Sequence, residues 1–274
     1  MKTLIVTHMG SPETLKDIPE FLQRIFLDKD LIKLPFQNFL GPLIAKLREP
    51  KTKMHYIKTG GASPLAKITD SIARKLKDRL VDENLNIYVR FTHSKPYLEN
   101  DTNSELIVFP LYPQYSKALT GAIEKKLPQA KVLKNWHVEE EFIECMKKRI
   151  KDAVKQYKPD ETVLLFIAHS LPASLIEHGD PYKDQVEEMF QLLSGYFKEY
   201  EARLAYIGKV GPKKWIGPEA QKEIKNIKKK NVICTYLSLP VDNIEILYDI
   251  DFYLRKNAKS VGIENFIRVQ MPND

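Results

Sequence analysis

Apolar residues cluster along this chain in short runs: TLIVTH, NIYVRF, ELIVFPLY, TVLLFIA, RLAYIG and NVICTYL. Each is nearly continuous in Val, Ile, Leu and aromatic residues, the pattern of a strand buried on both faces. Longer segments with helical spacing separate most of them. In residues 138–157, Phe142, Met146, Ile150 and Val154 recur every four residues while charges fill the other faces, which predicts one amphipathic helix. Strands alternating with helices predict an α/β fold whose parallel sheets are flanked by helices on both sides. The alternation runs twice, so two doubly wound lobes are expected, at 1–133 and 134–260, with a C-terminal segment at 261–274. No strict sequence repeat relates them. Ligands of open parallel sheets sit outside the carboxyl ends of the strands, so the residues that follow each strand carry the functional argument.

Composition narrows the class. With 274 residues, 43% hydrophobic and 29% charged, the chain has the make-up of a soluble globular protein and the length for two domains. No apolar run approaches the ~20 residues of a membrane-spanning helix. The opening MKTLIVTHMGSP has too short an apolar run for a signal peptide and then turns, so a cytoplasmic protein is expected. Cys145 and Cys234 lie far apart, as suits reduced core residues, and cannot form a four-cysteine metal site. The net charge of +7 comes largely from lysines spread over helices. Its densest cluster, Lys228, Lys229 and Lys230, lacks interleaved aromatics for stacking on bases and reads as a solvated helix end, so nucleic acid is not an expected partner. A basic surface still favours anionic membranes or acidic small molecules.

The strand tips hold the candidate chemistry. Met9 follows the first strand; Gly60, Gly61 and Ser63-Pro64 form a tight loop before a helix; Tyr112, Tyr115 and Ser116 follow ELIVF; Trp215 sits in a Gly/Pro-framed loop after RLAYIG. The tyrosines supply either packing or a flat surface for an aromatic ligand, and Trp215 either a ring wall or interlobe packing. Past NVICTYLSLP, a helix opened by Asp242 as N-cap places Glu245 and Asp249 four residues apart on one face. Two like charges at that spacing gain nothing for folding unless they bind a cation or take up protons, or are simply solvated. TVLLFIA ends in His169, an imidazole with an ordinary pKa near ~6.5 that suits a base or metal ligand; a core histidine satisfied by a backbone carbonyl reads equally well from spacing alone. No cysteine or adjacent second histidine completes a structural cage, so a metal here would be held weakly and transiently.

The motifs MGSPETLKDIPEFLQRIFLDKDLIKLP, GGASPL, PLYPQYS, LFIAHSLP, GDPY, KVGPKKWIGP and DNIEILYDID, in this order, resemble the ferrochelatases, the terminal enzymes of haem synthesis. The likeness spans the chain to about Asn273 and is thin over 97–105, where the family usually has a longer helix. It implies two Rossmann-like lobes with a porphyrin cleft between them and a lyase that inserts Fe²⁺ into protoporphyrin IX to form protohaem. Coproporphyrin III as substrate, a cobalt chelatase and a non-catalytic haem carrier are the alternatives. Residue by residue, the resemblance makes His169 the active-site histidine and Glu245 its partner carboxylate. It places His169, Glu245 and Asp249 along the metal's path, and Asp242 on the same helix. Arg48, Tyr56 and Ser63 fall on positions that receive porphyrin propionates, Tyr112 and Trp215 line the cleft, Met9 lies by the macrocycle, and Arg90 matches a cleft arginine. Iron enters as substrate, no cofactor is permanently bound, and the cysteine-bearing extension of cluster-containing members is absent, so no iron–sulfur cluster is expected.

Two departures make the expected metal path less acidic than usual: Asn243 stands where the family commonly has histidine, and Tyr253 where it has a third acidic residue. Met9 sides with the protoporphyrin type, because coproporphyrin enzymes often carry tyrosine there. Phe36, Phe39, Leu40, Leu43 and Ile44 beside Lys33, Lys46 and Lys51 predict an apolar lip that rests on anionic headgroups without insertion, or else core packing. A monomer is expected.

Overall fold

Each of the apolar runs becomes a strand in the computed structural model, which describes residues 2–80, 84–99 and 105–274. Strands β1 (Lys2–His8), β2 (Leu85–Phe91), β3 (Glu105–Pro110) and β4 (Lys131–Val132) form one sheet in the order β2-β1-β3-β4. Strands β5 (Thr162–His169), β6 (Glu201–Ile207), β7 (Asn231–Tyr236) and β8 (Asn265–Arg268) form the other in the order β6-β5-β7-β8. All pairs are parallel. The two sheets have the same order, so β1 and β5 occupy equivalent central places.

Around the first sheet lie α1 (Ile18–Leu27), α2 (Gln37–Lys58), α3 (Leu65–Arg79) and α4 (Thr120–Lys126); around the second lie α5 (Glu140–Val154), α6 (Ala173–Glu177), α7 (Tyr182–Ser194), α8 (Ala220–Asn226) and α9 (Arg255–Ser260). A π-helix, Ile246–Leu254, leads directly into α9. The core explains why β5 reads as a continuous apolar run. Val163, Leu165 and Ile167 pack on one face with residues of α8, the π-helix and α9, whereas Leu164, Phe166 and Ala168 pack on the other with α5 and α7. At roughly 1.5–3 kcal/mol for each fully buried Val, Leu, Ile or Phe, this strand fixes the place of its own tip.

Several local expectations are refined. Helix α5 buries Ile143, Met146, Ile150 and Val154, while Phe142 is turned against the Trp136 ring at 4.7 Å between centroids. Asp242 is not the N-cap of the last helical segment. Asn243 Oδ1 accepts the Glu245 and Ile246 N–H groups at 2.9 and 3.3 Å, and Asp242 instead pairs with Arg268 at 2.9 Å. The amide caps without needing charge, which frees Asp242 to hold β8 to the helix. The segment 261–274 supplies β8, and its Val269 and Met271 lie in the two core clusters of the second lobe. The chain then returns to the first lobe, where Asp274 meets Ser71 and Lys75 of α3. Cys234 is buried in β7, while Cys145 is only half-buried on α5; both are free thiols. Of the thin stretch at 97–105, residues 100–104 lie outside the described residues.

Helix α2 packs against α1 through Ala45 and Tyr56, with Ile44 half-buried at the seam. Its opposite flank is bare: Phe36 is 86%, Phe39 73% and Leu47 72% exposed, with Leu43 also exposed and Leu40 half-buried. Among the described residues no helix is long and apolar enough to cross a membrane.

Candidate active site

His169 is the last residue of β5, and its main chain is held independently of its ring. Its N–H donates to Ser238 Oγ at 2.8 Å, and its carbonyl accepts the Tyr182 hydroxyl at 2.9 Å. The ring's Nδ1 meets Glu245 Oε1 at 2.5 Å. A neutral imidazole carries one N–H, and a carboxylate can only accept, so the proton sits on Nδ1 and the lone pair on Nε2. Nε2 has no protein partner among the described residues, and the side chain is 38% exposed. The result is a base or ligand atom aimed outward from the strand tip.

Glu245, in the turn that opens the π-helix, has both oxygens engaged, since its Oε2 accepts the Tyr236 hydroxyl at 2.5 Å. Burial opposes ionisation of each partner in the His169–Glu245 pair, but their mutual attraction and hydrogen bond outweigh it. His169 is raised and Glu245 lowered from their ordinary values, and Tyr236 helps to lower the latter. Asp249 lies one turn on. Burial, and then the negative charge of Glu245, push its carboxyl up to about 7, against smaller opposing effects of His169 and Lys51. Near neutrality it therefore exchanges a proton readily. These side chains do not close around a common point as a ready-made metal cage: no group of three or more His, Cys, Asp or Glu residues among those described is arranged to hold a metal ion. The approach of His169 to Glu245 also depends on Gly208, which follows β6 at φ +85°. A methyl group there would stand 2.3 Å from His169 Cε1 and 2.7 Å from Glu245 Oε1.

The other positions singled out in the sequence lie on several separate elements. Met9 is half-buried beyond β1; its carbonyl accepts the His93 N–H at 2.9 Å, and its backbone hydrogen-bonds the Tyr112 hydroxyl. Tyr112 borders a cavity of about 320 Å³ lined also by Asp28, His93, Lys125 and Lys126, away from His169. Arg48 and Tyr56 are on α2, with Tyr56 only 2% exposed in the α1–α2 core. Arg48, Lys51 and Lys58 surround His55; burial first and then these cations lower its pKa to about 4. His55 stacks at 3.6 Å on Tyr248 of the π-helix, so α2 and the helix of Glu245 and Asp249 are in contact. Ser63 is buried before α3 and accepts the Leu65 N–H at 3.4 Å. Arg90 makes local contacts, to the Val89 carbonyl at 2.9 Å and over the Tyr88 ring at 5.1 Å. Trp215 is half-buried beside Pro172, and its indole N–H is a buried donor with no partner among the described residues.

The first lobe contains a counterpart that puts His169 in relief. His8 ends β1 as His169 ends β5. Its Nδ1 accepts the Gly10 N–H and its Nε2 donates to Thr69 of α3, both at 2.8 Å, because the Thr69 hydroxyl proton is committed to the Leu65 carbonyl. Burial lowers its pKa to about 3. His8 is thus a core-satisfied histidine, the kind of arrangement that spacing alone left open for His169.

Sequence reasoning passed over Tyr236, Ser238, Tyr182 and Gly208. A signal existed for two of them. Once β6 and β7 flank β5, the residues that end or follow those strands, Tyr236 and Gly208, are the natural neighbours of His169.

The chain is similar to known proteins over nearly its whole length. The Ferrochelatase family model matches residues 1–274. Ferrochelatase of Aquifex aeolicus (strain VF5) is 37% identical, with 98% of this chain and 93% of that protein covered. Mitochondrial ferrochelatase of Homo sapiens is 34% identical, with 98% and 71% covered. In fold, the chain is similar to the solved structure of CbiX, the terminal enzyme for biosynthesis of sirohaem in denitrifying bacteria, at a TM-score of 0.51 and 14% identity, covering 97% of this chain and 90% of that one. It is likewise similar to DR2241 from Deinococcus radiodurans, a multi-domain protein with structural similarity to chelatases, at a TM-score of 0.56 and 9% identity, covering 100% and 52%. Two parallel-sheet lobes, a histidine tip paired with a helical carboxylate, and these likenesses agree: the chain belongs to the ferrochelatase family.

Proposed function

We propose that the chain inserts Fe²⁺ into protoporphyrin IX to form protohaem. The observation that carries this reading is the His169–Glu245 contact at 2.5 Å, which leaves Nε2 of a basic imidazole open at the strand tip. Metal insertion requires removal of two pyrrole protons, loss of the ion's waters and bending of a stiff ring. His169 takes a proton, a role worth ~10²–10⁴-fold in rate, and Glu245 stabilises the imidazolium that results. Asp249, with its pKa near 7, receives and releases a proton beside them. Nitrogen and oxygen donors that do not form a closed cage suit an ion that passes through. Met9 and Trp215 act as walls that favour a bent macrocycle, and Arg48 and Arg90 receive its propionates, whereas Tyr56 and Ser63, only 2% and 8% exposed, are packed too deeply to do so and Tyr112 faces a separate cavity. The test is anaerobic mixing of protein, free-base protoporphyrin and Fe²⁺. Catalytic loss of free-base fluorescence is expected, and stoichiometric binding without metallation would overturn the reading in favour of a carrier.

Protoporphyrin IX is favoured over coproporphyrin III because Met9 offers a polarizable, apolar contact to a ring face where a polar group would better suit extra propionates. With Fe²⁺ and both porphyrins measured side by side, kcat/KM is expected to be higher for protoporphyrin IX; an equal or reversed ratio removes Met9 as the discriminator.

The same substrate, apolar and poorly soluble, fits a protein that rests on a membrane. Exposed Phe36, Phe39, Leu43 and Leu47 beside Lys33, Lys46 and Lys51 form the proposed peripheral contact with anionic lipid. Co-flotation with anionic liposomes at low salt is expected, weakening in Phe36→Ser/Phe39→Ser. A wild-type chain that never floats would exclude the lip as a lipid contact.

A further inference from the structure

We infer that Tyr236 is a positioning residue of the insertion site: it holds the Glu245 carboxylate against His169, and so fixes the ring whose Nε2 is left open at the strand tip. The inference rests on the functional reading above and names a residue that neither the sequence motifs nor the family likeness brought forward.

Tyr236 is the last residue of β7, opposite Ile167 of β5 in the parallel register, so its side chain leaves the sheet two residues below the His169 tip. It is 2% exposed. It therefore reaches no substrate, and any influence on the reaction passes through its neighbours. Its hydroxyl donates to Glu245 Oε2 at 2.5 Å while Glu245 Oε1 takes the His169 Nδ1–H at 2.5 Å. A glutamate side chain has several soft torsions and belongs to a helix, whereas His169 belongs to a strand. With one oxygen engaged, the carboxylate can swing about that contact; with both engaged, rotation in either direction breaks a charge-assisted hydrogen bond. The second anchor comes from the same sheet that carries His169, so the distance between base and carboxylate becomes a property of the β5–β7 pairing and not of the helix. Ser238 ties the arrangement together, bonding His169 N–H and Tyr182 on one side and lying within reach of Tyr236 on the other. Partners of this outer kind typically change activity or metal affinity by 10–100-fold when removed.

The test compares the full chain with its Tyr236→Phe variant, which keeps the ring that fills the core and deletes only the donor. Two quantities are read. Steady-state insertion is expected to show kcat lowered roughly tenfold or more with KM for porphyrin unchanged, since the contacts that bind the ring are untouched. NMR of the ¹⁵N-histidine-labelled protein, without metal or porphyrin, is expected to show a protected His169 Nδ1 proton in the wild type and faster exchange of that proton in the variant. A kcat within twofold of wild type, an Nδ1 proton equally protected in both proteins, or a loss of activity accompanied by a raised KM and general broadening would each overturn the inference, the last by showing that the residue acts through packing. A wild-type protein without insertion activity would fail the functional reading instead, and the NMR comparison would still report whether Tyr236 holds the pair.

Discussion

His169→Ala is expected to lower metal insertion by at least 10²–10⁴-fold while leaving the fold and most porphyrin affinity in place. The separation follows from how the residue is held. Its N–H and carbonyl are bound by Ser238 and Tyr182, contacts that alanine keeps, and the lost ring projects from a strand tip that is already anchored by the buried residues before it. Removing the ring leaves Tyr236 as the one side-chain partner of the Glu245 carboxylate among the described residues, so this carboxyl should take up a proton more easily than before; an unpaired buried charge is relieved by neutralisation. Glu245→Gln should be milder, because the amide oxygen can still accept from Nδ1 and orient the ring, although it cannot offset the charge of an imidazolium. Anaerobic turnover combined with porphyrin binding by fluorescence titration separates the two properties. Turnover near that of the wild type in His169→Ala would end the assignment of this residue as the base.

Asp249→Asn is expected to stabilise the protein in a strongly pH-dependent way. The native carboxyl holds its proton up to about pH 7 instead of the ordinary 3.8, because burial and the neighbouring Glu245 disfavour its charge. Between those values the native state binds more protons than the unfolded chain, so stability falls as pH rises. The full rise is worth roughly 4 kcal/mol at 1.36 kcal/mol per pH unit, as an upper figure. An amide carries no such penalty. The variant should therefore match the wild type near pH 4 and gain progressively above it, reaching several degrees in Tm by pH 8, while insertion activity falls if the carboxyl takes part in the proton's path. Thermal melts of both proteins across this range are the measurement; a Tm difference that is the same at pH 4 and pH 8 would trace the effect to packing and not to charge.

Much of this site was legible because the sheet is simple. Runs such as TVLLFIA are buried on both faces, so their ends are marked by the first residue that the core cannot take, and His169 announces itself in that way. Glu245 and Asp249 stood out as a like-charged pair with no folding benefit. What the chain did not disclose is which strand-tip histidine meets a carboxylate. TLIVTH and LLFIAH are nearly the same message, and the partners lie 61 residues away for His8 and 76 for His169; only tertiary packing decides between Thr69 and Glu245. Tyr236 was hidden for a related reason, since a tyrosine ending an apolar run is indistinguishable from packing until the adjacent strand is known. The edge strands β4 and β8 are two and four residues long, too short to give periodicity. The π-helix was equally invisible, because Ile246, Ile250 and Leu254 repeat every four residues as they would on an α-helix.

On the proposed function, the paired lobes also locate where reactivity resides in such a molecule. Two sheets of one topology deliver a histidine to the same place, and one of the two is inert. The sheet is thus a delivery device, indifferent to chemistry, and the helical segment that meets the tip determines whether the imidazole is silent or basic. Anyone wishing to move this chemistry to another doubly wound scaffold would have to transplant the segment from Asn243 to Leu254 with its capping amide and its carboxylates, together with the tyrosine on the neighbouring strand; grafting the histidine strand alone would deliver an imidazole without the carboxylate that makes it basic.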